Sequence, residues 1–206
     1  MVSKIKLLIF SVLIFILNID IYAQVNYHIA GGIDFTSVKH QGSIEIEPQQ
    51  LIGYHLELNI QKSIGQIFYL NMSSQFLQRG YNDSNGSGFK RNYIDIQPEL
   101  SFNSVKSIEF GLGLYYGIVT QFYAKSTNGE WQNLSKVGIA DNNDFGLTFL
   151  VRSSFKRVIF YARYKYGIQK LNEIIYTDDF GNVLGNSSEK NREFQIGIGY
   201  KFKNDD

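Results

Sequence analysis

The chain has no cysteine, two prolines, three histidines and one tryptophan. Without cysteine there are no disulfides, no thiolate metal centres and no acceptor for a cysteine-linked lipid anchor. An excess of one charge is missing as well. Setting aside residues 1–23 removes Lys4, Lys6 and Asp20, which leaves basic and acidic side chains equal in number. That balance gives no electrostatic case for nucleic-acid binding. A long apolar run occurs only at the start, where Leu7 to Leu17 is broken by Ser11 alone. After residue 24 no stretch sustains a period near 3.6, so amphipathic helices are not expected.

The start of the chain reads as a targeting segment. Lys4 and Lys6 precede the apolar run, and Ile21-Tyr22-Ala23 sets a small residue before Gln24, as signal peptidase requires. Asn18 and Asp20 end the run short of the ~20 residues that a helical membrane span needs. Residues 1–23 are therefore expected to be a cleaved signal peptide, and residues 24–206 a single domain.

What is present in that domain is glycine (19), tyrosine (13), phenylalanine (14) and a period of two. Leu56, Leu58 and Ile60 alternate with His55, Glu57, Asn59 and Gln61. Ile108, Phe110, Leu112, Leu114 and Tyr116 alternate with Glu109, Gly111, Gly113, Tyr115 and Gly117. Such runs predict eight strands near 25–37, 50–62, 66–80, 90–103, 106–121, 143–154, 157–171 and 191–203. The connections alternate between tight links near 63–65, 104–105 and 155–156 and long ones near 38–49, 81–89, 122–142 and 172–190. All the long loops then fall at one end. Short periplasmic turns opposite long extracellular loops characterise bacterial outer-membrane barrels. With an even strand number, both termini belong on the periplasmic side.

Two phases remain to be assigned. A secreted, lipocalin-like barrel would hold its apolar phase inside around a ligand. An eight-stranded interior is only just wide enough for side chains to fill it, and the apolar phase here is too bulky to fit. The other phase, rich in Gly, Ser, Asn and Gln, does fit. The expected fold is a closed antiparallel eight-stranded transmembrane β-barrel, apolar outward, with Tyr27, Phe35, Phe68, Phe102, Phe145 and Phe202 in its interfacial girdles. Asp34, Glu57, Asp95, Glu99, Glu109, Arg152, Arg163 and Lys165 share the inward phase with His28 and His55. Buried charges need partners, so Glu57, Asp95, Glu99, Glu109, Arg152, Arg163 and Lys165 are expected to form a structural ion-pair network that plugs the lumen. Pro98 sits mid-strand, where its missing N–H predicts a local bulge.

Several segments together resemble a family. They are Gln78-Arg79-Gly80, Asn92-Tyr93-Ile94-Asp95-Ile96-Gln97-Pro98-Glu99-Leu100, Glu109-Phe110-Gly111-Leu112-Gly113-Leu114-Tyr115-Tyr116-Gly117, Asp144-Phe145-Gly146-Leu147, Ala162-Arg163-Tyr164, and the last strand through Phe202. In this order they resemble the PorT-like outer-membrane β-barrel domain of Gram-negative bacteria. The resemblance implies an integral outer-membrane protein, with an accessory role in protein secretion among its relatives. The final strand also resembles the signal read by the barrel assembly machinery, through Gln195, Gly197, Tyr200 and Phe202.

No catalytic site, metal or cofactor is expected. No histidine spacing resembles a ligand motif, no nucleophile elbow is present, and His40 falls in the first long loop. The chain reads as a non-enzymatic element of the outer membrane whose partners are lipid, the assembly machinery and an unidentified contact of its extracellular loops. A narrow passive channel and a lipid-modifying enzyme are the competing readings. Trp131, beside Glu130, serves either as a rim anchor or as a partner anchor. Asp178 and Asp179 lack the pattern of a calcium loop, and the turn they begin predicts a hairpin beyond the membrane.

Overall fold

The computed structural model describes residues 25–42, 49–82, 86–105, 107–126, 129–135, 143–171, 173–177 and 183–202. The expected signal peptide, Asp178, Asp179 and the side chain of His40 lie outside the described residues. Ten strands occur: β1 (Val25–Gly42), β2 (Gln49–Ile64), β3 (Phe68–Asn82), β4 (Gly88–Val105), β5 (Ile108–Lys125), β6 (Gln132–Asn133), β7 (Asp144–Phe155), β8 (Val158–Gly167), β9 (Glu173–Thr177) and β10 (Val183–Phe202). All pairings are antiparallel. The order β1-β2-β3-β4-β5-β7-β8-β10 closes on itself, because β10 also pairs with β1 from Tyr27↔Phe202 to Gly42↔Ser187. Eight strands thus form the barrel wall. Short β6 and β9 flank the far ends of β5 and β10.

Alternation along each strand becomes two opposite surfaces. On β2, Gly53, His55, Glu57, Asn59 and Gln61 are buried, while Ile52, Tyr54, Leu56, Leu58 and Ile60 are exposed. Among the described residues, 28 polar or charged side chains are buried against 11 hydrophobic ones, and 35 large hydrophobic side chains are exposed. A water-soluble protein could not carry that surface. The apolar phase faces outward, which overturns the alternative of a lipocalin-like barrel with an apolar interior.

Turns at 65–67 and 156–157, and a third that includes Ser107, join strands at the end where Val25 and Phe202 lie. Gly65 takes φ +82° in the first of them, the left-handed region that glycine enters without strain. The strand ends joined by longer connections lie at the opposite end. There β1 and β10 extend further than the periodicity predicted, β1 running to Gly42 and β10 beginning at Val183, whereas β8 stops short, at Gly167 instead of 171. The arm expected beyond the membrane is present in its described part, Glu173–Thr177 pairing with β10 from Ser188 to Val183.

Pro98 makes no bulge. β4 keeps one register against β3 through Met72↔Pro98, and against β5 the pairing passes from Ile96↔Tyr116 to Glu99↔Gly113 without a shift. A missing donor interrupts the ladder locally while the flanking bonds hold the register. The β4–β5 register shifts elsewhere, near the turn between Asn103 and Val105 and, higher, where Asn92↔Gln121 is followed by Tyr93↔Val119. The extra residue, Thr120, reverses the phase of β5. Phe122 consequently turns inward and stacks on Phe89 at 5.7 Å.

Outside, aromatic rows mark both rims. Phe68, Phe102 and Phe110 follow one another at the short-turn end, with centroids 6.5 and 5.9 Å apart, and Tyr200 meets Phe202 at 5.3 Å. Phe35 and Phe194 pair at 6.4 Å toward the other end.

Candidate functional site

The lumen gathers charged side chains from all eight wall strands, in three tiers. In the tier nearest the short turns, Arg152 of β7 donates to Glu109 of β5 at 3.2 Å and to the Asn71 amide oxygen at 3.3 Å. Ser101 and Gln61 donate to the same Glu109 carboxylate at 2.5 and 3.1 Å. At mid-height, Arg163 of β8 spans the lumen to Glu57 of β2 at 2.5 Å and Glu99 of β4 at 3.1 Å. Thr148 donates to Glu99 at 3.2 Å, and Gln75 donates to Glu57.

The third tier centres on Arg79 of β3. Its guanidinium donates to both oxygens of Asp95, the bidentate geometry that a planar fork allows, and its Nε donates to Glu193 of β10. Asp144 of β7 lies 3.5 Å away. Tyr93 and Tyr115 flank the guanidinium at 4.9 and 4.8 Å from their ring centroids. Lys165 adds a second cation, 2.8 Å from Asp95 and 2.6 Å from the Gln75 amide oxygen. Gly117 leaves room for this cluster, since a Cβ there would meet the Asp95 carboxylate at 2.6 Å.

Of the seven residues assigned to the network from sequence, Arg163 meets Glu57 and Glu99, Arg152 meets Glu109, and Lys165 meets Asp95. Arg79, Asp144 and Glu193 escaped that assignment. Each continues the inward alternation by one or two steps beyond the point where the outward apolar residues thin out. Counting on from Gln75, back from Gly146 or back from Gln195 would have reached them.

β1 joins through a separate chain. His55 bonds Asp34 through one ring nitrogen and the Tyr161 hydroxyl through the other. Tyr161 reaches it over Gly197, where an added Cβ would meet the ring at 2.4 Å. Gly197, read as part of an assembly signal, therefore also serves packing. Of the other residues in that signal, Gln195 faces the lumen and donates to Glu193 at 2.5 Å, whereas Tyr200 and Phe202 face outward. His28 and His55 do not meet. His28 lies opposite Asn59 and His55 opposite Gly32, about 13 Å apart along the strand direction at 3.3 Å per residue. No cluster of three potential metal ligands occurs among the described residues.

The centre of the lumen is tightly filled. Gln75, Asp95, Gln97, Thr148 and Gln195 are all 0 % exposed. Acidic side chains are divided sharply by location. Asp34, Glu57, Asp95, Glu99, Glu109, Asp144, Glu189 and Glu193 are buried, and among the described side chains only Glu130 is an exposed acid. Near that loop, Trp131 packs against the rim, with Lys90 Nζ 4.5 Å from its ring centroid.

No protein-family model matches the chain, and no curated protein sequence matches it either. Solved structures do. The chain is similar to Neisserial surface protein A (NspA), with TM-score 0.53, 14 % identity, and coverage of 87 % of this chain and 99 % of that one. It is also similar to the outer membrane protein OprG from Pseudomonas aeruginosa, with TM-score 0.52, 12 % identity, and coverage of 88 % and 98 %. Identities this low speak to the fold alone, which is that of small eight-stranded outer-membrane barrels. The PorT-like resemblance has no matching model, and the secretory role it implied loses its support.

Proposed function

We propose that the protein is an integral outer-membrane barrel with a sealed lumen, and that it acts by presenting its long-loop end outside the cell. Both termini then lie in the periplasm, outer-membrane lipid surrounds the apolar belt, and the barrel assembly machinery inserts the chain through Gln195, Gly197, Tyr200 and Phe202. The observation that carries the sealed lumen is the contact of Arg79 with Glu193, and of Arg163 with Glu57 and Glu99, on strands across the barrel. Glu57, Asp95, Glu99, Glu109, Arg152, Arg163 and Lys165 are structural ties in this reading, and the protein catalyses no reaction. The loops and the β9–β10 arm are the surface left for a partner, as function concentrates on loops held by a rigid scaffold.

Planar-bilayer recording of the purified protein tests this reading. The expected record shows heat-modifiable, inserted barrel without single-channel steps. Reproducible steps that vanish on proteolysis of the protein would replace the sealed barrel with the narrow channel.

A further inference from the structure

Among the described side chains, the partition of charge leaves the outward wall with cations and no acids. On the outward face of β1 and β10, the apolar belt rises from Tyr27 and Phe202 to Phe35 and Phe194, about 26 Å along the strand at 3.3 Å per residue. Immediately above it stand Arg192, opposite Ser37, and Lys190, opposite Lys39. Cross-strand partners place their Cβ atoms about 5 Å apart, and like charges so placed repel. Neither Lys39 nor Lys190 has a carboxylate partner among the described residues.

Arg192 is held in place without a carboxylate. Its Nη1 donates to the carbonyls of Gly167 at 2.9 Å and Asn191 at 2.6 Å, and its guanidinium lies 3.6 Å from the Tyr166 ring centroid. Exposed Lys170 lies beside the same seam, its neighbour Leu171 donating to the Glu189 carbonyl. These cations stand at the height where lipid headgroups begin. Among the described residues, Arg79, Arg152, Arg163 and Lys165 in the lumen each meet a carboxylate, whereas two lysines oppose each other here, a place suited to an added anion.

We propose that Lys39, Lys190 and Arg192 form a docking site for a phosphate-bearing lipid headgroup of the outer leaflet. The apolar residues below, Phe35, Phe194 and Tyr166, receive its acyl chains. The phosphate bridges the two opposed lysines, and Arg192 closes it from beneath. This rests on the membrane reading given above.

The test uses protein produced from the full chain, purified from membranes and placed in phosphatidylcholine nanodiscs containing either diphosphorylated lipid A or its dephosphorylated form. Native mass spectrometry counts the lipid A retained, and loss of the heat-modifiable band gives thermal resistance. Wild type is expected to retain the phosphorylated form preferentially, with about a fivefold loss for each cation removed. Lys39→Gln is expected to raise thermal resistance in the phosphate-free discs by relieving repulsion, and to lower it in the phosphorylated ones. Lys156→Asn, at the opposite rim, is expected to change neither. Equal retention of both lipids, an effect of Lys156→Asn as large as that of Lys190→Gln, or a Lys39→Gln effect of one sign in both discs overturns the site while leaving the barrel standing. A chain that stays folded and soluble without detergent overturns the membrane reading itself, and the site with it.

Discussion

Leu56 and Glu57 are neighbours in sequence and share a strand, yet one is 58 % exposed and the other 3 %. The same contrast runs around the barrel. Outside, Leu112, Ile196 and Phe149 meet a medium that accepts bulk and tolerates substitution between apolar residues. Inside, Arg79, Arg163 and Asp95 have only the opposite charges and polar groups of the lumen, because backbone pairing seals them from lipid and solvent. Solubility in hydrocarbon decides the outward face, while the inward face depends on each charge finding its partner. A small loss outside is spread over many contacts; a single loss inside strands a charge.

The largest effect that would test this contrast is removal of a lumen cation. Arg79→Met leaves Asp95 and Glu193 without their guanidinium and is expected to cost about 3–5 kcal/mol, read from urea unfolding in lipid vesicles. Arg163→Met, which orphans Glu57 and Glu99, should cost a similar amount; unchanged heat resistance of either variant in detergent would show that the lumen charges are hydrated and unimportant. Leu112→Arg places a charge on the lipid face near mid-height and is expected to cost about 2–4 kcal/mol in the same assay. Gly197→Ala drives a methyl into the Tyr161 ring, an overpacking worth about 1–3 kcal/mol, with slower acquisition of the heat-modifiable form. Tyr161→Phe removes only the hydroxyl at His55 and should cost about 1 kcal/mol. Phe149→Leu, on the outside, should stay within about 0.5 kcal/mol. An order reversed between Phe149→Leu and Tyr161→Phe would break the contrast between the two faces.

Much of the fold was legible because a period of two assigns every side chain to a face. Leu112 and Gly113, or Ile196 and Gly197, declare themselves by alternation alone. The height of a side chain in the lumen is another matter. It depends on strand stagger, and no local pattern told that Arg79 of β3 would reach Glu193 of β10. The phase reversal at Thr120 was illegible for a related reason: one extra residue changes the face of Phe122, and nothing in the composition there marks it. Pro98 misled in the other direction. Its missing N–H was legible, but the strength of the flanking register, which absorbs the loss, belongs to the assembled wall.

The seam between β1 and β10 joins Tyr27 to Phe202, almost the full length of the described chain. Contacts this distant in sequence make for slow, late-committing folding. Until the last strand arrives, β1 is an open edge able to recruit any other strand. Glu193, the partner of Arg79, arrives with that same strand. Closing the ladder and completing the third tier are therefore one event, so a chain stopped before residue 183 would keep both a sticky edge and an unbalanced charge. Quality control that recognises unpaired strands would have a long interval in which to find it, ending only with the twenty residues of β10.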